Sequence, residues 1–87
     1  MINVDGKDYV RPSDIAKLLG VDPAVISTDF RRGILASTDI MQPQKMIPLA
    51  EFIRYVRMRA EKYAKLGQTE RVESIARDLL KDYGVTL

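Results

Sequence analysis

Residues 12–33, PSDIAKLLGVDPAVISTDFRRG, decide how this chain of 87 residues is read. Two short amphipathic segments meet at Gly20-Val21, and the second closes on Arg31, Arg32 and Gly33. In the first, Ile15, Leu18 and Leu19 recur at helical spacing, and Ala16 is small enough to admit a neighbouring helix. Two starts are open. Ser13 can cap the helix with Asp14 in its first turn, or Pro12 can take the first helical position with Arg11 as the cap. Gly20 is the natural stop, because it adopts the left-handed conformation without strain. Val21 then points into the core, Asp22 caps the next helix, and Pro23 sits where a missing N–H costs nothing. Ile26 and Phe30, four apart, anchor that helix, with Val25 at its edge.

Burying Ile26 and Phe30 turns Pro23, Ala24, Ser27, Thr28 and Arg31 outward. This is the outline of a helix-turn-helix, whose second helix lies in the major groove of DNA. Serine and threonine can bond base edges or phosphates, and an arginine can bond guanine through two parallel hydrogen bonds. An ordinary helical hairpin with a polar outer face fits the same spacing.

Composition limits the alternatives. The length suits one small domain with a modest core. There is no cysteine and no histidine. That removes disulfides, cysteine nucleophiles, histidine acid–base chemistry and the usual zinc ligands. No long apolar run points to export or membrane insertion. The net charge is only +2, but it is unevenly placed. Residues 1–30 carry three basic and five acidic side chains, a balance of −2. Residues 31–65 carry eight and three, a balance of +5, and residues 66–87 carry three and four, a balance of −1. Positive charge therefore begins at the end of the second helix and continues beyond it, as a phosphate-facing surface requires. A solvated basic helix face is the plainer explanation.

The flanking segments complete the picture. Asp5-Gly6, between Ile2, Val4, Tyr9 and Val10, signals a two-residue hairpin. After Gly33, Ile34 and Leu35 are expected to start a strand paired with Lys45 to Leu49. The intervening Pro43, Asp39 and glutamines suit a turn. Such a hairpin is a wing, whose tip, with Gln42, Gln44 and Lys45, can reach a neighbouring groove or the phosphate backbone; a plain connecting loop fits the same residues. Pro48 opens a long helix that ends at Gly67. Leu49, Phe52, Ile53, Val56, Ala60, Tyr63 and Ala64 share its apolar face, with Arg54, Arg57, Glu61 and Lys65 opposite. Arg57–Glu61 and Glu61–Lys65 are spaced to pair along it. A last helix starts at Thr69, the expected cap, and ends at Gly84. Its stripe of Val72, Ile75, Ala76, Leu79, Leu80 and Tyr83 can pack on its own domain or against a second copy.

Order and spacing resemble the excisionase and MerR-type winged helix-turn-helix domains. YVRPSDIAKLLGV corresponds to their first helix, with its A-x-x-L-G-V run. DPAVISTDFRRGIL corresponds to the recognition helix and KMIPLAEFIRYV to the helix after the wing. The resemblance covers roughly residues 9–57. It implies that Asp22, Pro23, Ala24, Ser27, Thr28 and Arg31 face the groove and that the wing touches the backbone. Asp29 departs from the family, which carries an apolar residue there. Either the helix rotates and Phe30 alone anchors it, or Asp29 pairs with a nearby basic residue. Asp22 and Asp29 also set negative charge on a helix meant to approach phosphate. Affinity then depends on the arginines at its end, the wing or a second subunit.

The expected fold is mainly α with small β-hairpins: a winged helix-turn-helix in residues 1–67 and an additional amphipathic helix in 68–87, packed on the domain or used for dimerisation. The expected function is sequence-specific binding of double-stranded DNA, as a small transcriptional regulator or recombination-directionality factor of a phage or mobile element. Ser27, Thr28 and Arg31 would read bases, with Pro23 and Ala24 alongside, while Arg32, Gln44, Lys45 and Arg54 would meet the backbone. No enzymatic activity, cofactor, metal or small-molecule ligand is expected, and the place of action would be the nucleoid in the cytoplasm. The alternative is a protein-interaction module, such as a phage-encoded adaptor or a packaging or replication accessory protein.

Overall fold

Asp5 and Gly6 both adopt positive φ, 52° and 80°, the backbone that a two-residue hairpin turn demands. They join β1 (Ile2–Val4) to β2 (Lys7–Val10) with Ile2 opposite Tyr9. The computed structural model describes residues 1–41 and 44–87, and the side chains outside 38–44.

α1 spans Pro12–Leu19 and α2 spans Pro23–Arg31. Of the two starts open to α1, Pro12 takes the first helical position and Arg11 is the cap. The Arg11 backbone N–H donates to the Asp14 carboxylate at 3.4 Å. Gly20 ends α1 at φ 68°, and the Val21 N–H returns to the Ala16 carbonyl at 3.0 Å. The turn is therefore closed by backbone bonds before Asp22 caps α2, accepting from the Ala24 N–H at 2.8 Å.

The segment after α2 differs from expectation. Ile34 and Leu35 are not a strand: their N–H groups donate to the Asp29 carbonyl at 2.9 and 3.4 Å. They complete the end of α2, and Leu35 is buried. The strand β3 begins later, at Thr38–Met41, and pairs antiparallel with β4 (Gln44–Pro48). β4 also pairs with β2, Val10 opposite Ile47, so the two hairpins merge into one sheet of order β1-β2-β4-β3. The expected hairpin tip at Gln42 and Pro43 lies outside the described residues.

α3 (Leu49–Lys65) crosses this sheet and buries Phe52, Tyr55, Val56, Ala60 and Tyr63. Ala64, expected on the apolar face, is exposed, and Tyr55, which the periodicity did not single out, is completely buried. Lys65 pairs with Glu61 at 3.2 Å, while Arg57 donates to the Thr86 carbonyl at 3.0 Å. α4 (Thr69–Tyr83) is capped at Gln68 rather than Thr69. It buries Ile75 and Leu79, and the Tyr83 ring meets Phe52 at 4.8 Å between centroids. Arg71 lies 3.9 Å from the Tyr63 ring centre and donates to the Leu19 carbonyl at 3.1 Å, at the C-terminal end of α1. That end carries partial negative charge, which a guanidinium satisfies. α4 thus packs on α1 and α3, although Leu80 from its expected stripe stays 56% exposed. The fold is mainly helical, with a small antiparallel sheet and four helices among the described residues. None of those helices is long and apolar enough to cross a membrane.

Candidate nucleic-acid interface

α2 has one buried edge and one open ridge. Ile26 is fully buried and Phe30 is half-buried, while Pro23, Ala24, Ser27 and Arg31 are exposed and Thr28 lies at the margin. The ridge is ordered from within. The Thr28 hydroxyl donates to the Ala24 carbonyl at 2.9 Å and accepts from Arg31 Nη2 at 3.0 Å. Arg31 is therefore tied back to Thr28 along the exposed side of α2.

The inward edge of α2 carries Asp29, 7% exposed. A buried carboxylate is stable only when paired and hydrogen-bonded. Two residues of α3, Tyr55 and Arg59, supply both. Tyr55 donates its hydroxyl to Asp29 Oδ2. Arg59 Nη2 meets the same oxygen at 2.9 Å, and its Nε donates to the Tyr55 hydroxyl at 3.0 Å. Burial, helped by the Asp29 carboxylate, pushes the Tyr55 phenol up to about 12. Of the two outcomes open to Asp29, pairing with a basic residue is the one observed, and Phe30 is partly buried against the core. The sequence signal lay in α3: Tyr55 and Arg59 are four apart and share a face.

Arg54 is engaged elsewhere. Its Nη2 donates to the Ile34 carbonyl at 2.6 Å, and it pairs with Glu51 through both Nε and Nη2. The Glu51 carboxylate also accepts from the Ala36 N–H at 3.2 Å. The Arg54 hydrogen bond holds that carboxyl below the usual carboxylate range. Together the pair fastens the chain leaving α2 to the first turns of α3.

The other expected contacts are distributed as follows. Arg32, at the C-cap of α2, is exposed. Lys45 is exposed, with its Nζ 5.0 Å from the Phe30 ring centre, so β4 delivers a cation to one side of α2. The side chain of Gln44 lies outside those described. On the opposite side, α2 and α3 bound an open groove of about 530 Å³, with Ala24, Val25 and Met58 on its apolar surface. Arg32, Arg59 and Lys62 line the same groove, and Lys62 was not among the expected residues. No group of acidic side chains able to hold a metal ion occurs among the described residues. No family model, curated protein or solved structure matches the chain.

Proposed function

We propose that this protein binds double-stranded DNA in a sequence-specific manner, with α2 in the major groove. In this reading α1 and α2 are a helix-turn-helix, β3 and β4 its wing, and α4 an added buttress. The biological role would be that of a small transcriptional regulator or an excisionase-like recombination factor, working on the nucleoid. The observation that carries the reading is the charge layout of α2. Asp29 is turned inward and paired with Arg59, leaving Ser27 and Arg31 on an open ridge with Arg32 beside them. An α-helix fits the major groove, where such side chains meet base edges. Arg31 and Ser27 would read bases, Thr28 would position Arg31, and Arg32 and Lys45 would contact phosphates. Arg54, bound to Glu51 and Ile34, would support the fold.

Fluorescence anisotropy with duplex DNA at two salt concentrations tests the proposal. Binding should weaken steeply as salt rises, since phosphate contacts release counterions. Absent affinity, or affinity indifferent to salt, would sink it. A second reading, a protein-interaction module, is favoured by Leu66 and Leu80, 63% and 56% exposed. It calls instead for a partner that stays bound after nuclease treatment, with no salt-linked DNA affinity.

A further inference from the structure

The ridge of α2 is flanked by cations on both sides, and only one flank belongs to the hairpin. Residues 3.6 to a turn place Phe30 on one side of the Ser27–Arg31 line and Thr28 and Arg32 on the other. Lys45 rests over Phe30 at 5.0 Å. Across the ridge, Arg32 at the C-cap of α2 and Lys62 of α3 line a shared groove. Arg59 lines it too, but its guanidinium is committed to Asp29 and Tyr55. Arg32 and Lys62 are exposed, and their side chains have no hydrogen-bond or ion-pair partner among the described residues. Ala24, small and exposed, leaves the ridge open on that side.

A duplex that takes a helix into its major groove brings a row of phosphates along each side of that helix. We propose that Lys62 and Arg32 form a second phosphate-binding flank, facing Lys45 across α2, so that the helix following the hairpin joins in holding the DNA. This rests on the DNA-binding reading. It gives a role to Lys62, whereas Arg54, Arg57, Arg59 and Lys65 of the same helix are engaged within the protein. It also assigns the α2–α3 groove to the sugar–phosphate backbone.

Anisotropy titrations over a salt series test this with two probes, a duplex selected by the wild-type protein and a mixed-sequence duplex. Each lost phosphate contact lowers the magnitude of the negative slope of log K against log salt by roughly 0.9. Lys62→Gln should lower it by roughly 0.9, and the double variant Lys62→Gln with Arg32→Gln by roughly 1.8, with equal losses on both duplexes. Lys81→Gln, on the exposed side of α4, should leave the slope unchanged. Circular dichroism melts confirm that each variant is folded. A double variant that keeps the wild-type slope overturns the inference and leaves the DNA reading standing. A loss confined to the selected duplex also overturns it, because that would mark a base contact. If the wild-type protein shows no salt-linked affinity for either duplex, the DNA reading falls and this inference with it.

Discussion

Two acid–arginine pairs hold the chain around the end of α2, and they differ in almost every physical respect. Asp29–Arg59 joins α2 to α3, with both side chains 11% exposed. Glu51–Arg54 is a pair three residues apart on one helix, with side chains 20% and 52% exposed. A buried pair cannot lose one partner cheaply, because the other charge is stranded away from water. An exposed pair exchanges its partner for solvent at little cost. The two also bear on residues singled out in the sequence. Asp29, expected to set negative charge on the outer helix, is buried and joins α2 to α3, while Arg54, expected at the DNA backbone, is bonded to Glu51 and the Ile34 carbonyl.

The largest effect should come from breaking the buried pair. Asp29→Ala should lose roughly 3 kcal/mol of stability, the lower end for a broken buried pair. Urea denaturation monitored by circular dichroism measures it, and a loss below roughly 1 kcal/mol would place Asp29 in the class of surface pairs. Next comes the open ridge. Arg31→Ala should cost roughly 1–3 kcal/mol of binding on a selected site while leaving the melting temperature unchanged. Equal loss on random DNA would make Arg31 a phosphate contact.

Tyr55→Phe removes one hydrogen bond to Asp29 and should cost roughly 1 kcal/mol at neutral pH. It also changes the alkaline limb. The folded phenol titrates near about 12, above the ordinary 10, so its stabilisation is intact below pH 10 and is lost as pH rises from there through the folded value. Thermal melts should therefore fall more steeply between pH 10 and 12 in the wild-type protein than in Tyr55→Phe. Parallel curves would remove Tyr55 from the titration. The smallest effect belongs to the exposed pair, where Glu51→Gln should cost no more than roughly 0.5–1 kcal/mol. Because the Glu51 carboxyl is held low, that contribution is present above its unfolded value and lost as pH falls through the folded one.

What the sequence disclosed was local. The Asp5-Gly6 turn, the Gly20 stop, the Asp22 cap and the Gly84 stop each depend on one or two residues acting on their own backbone. What it hid was long-range. Val10 pairs with Ile47 across most of the first half of the chain, and nothing in either strand names its partner. Ile34 and Leu35 have strand-forming side chains, yet the Asp29 carbonyl takes their N–H groups. Phe30 was expected to anchor α2 and does so only at the margin, because Tyr55 and Arg59 make the inward position habitable for Asp29. The outward ridge was read from burying Ile26 and Phe30 together, and Pro23, Ala24, Ser27 and Arg31 are exposed while Thr28 lies at the margin. The Lys62 flank was not read, since it exists only where α3 lies alongside α2.

The central claim is that the ridge of Ser27 and Arg31 reads DNA sequence. Selection of duplexes from a randomised pool, followed by sequencing of the bound fraction, tests it most directly. The wild-type protein should enrich a defined motif, and the double variant Ser27→Ala with Arg31→Ala, still folded, should bind DNA without enriching that motif. Failure of the wild-type protein to enrich any sequence, or recovery of the same motif by the double variant, would contradict the account.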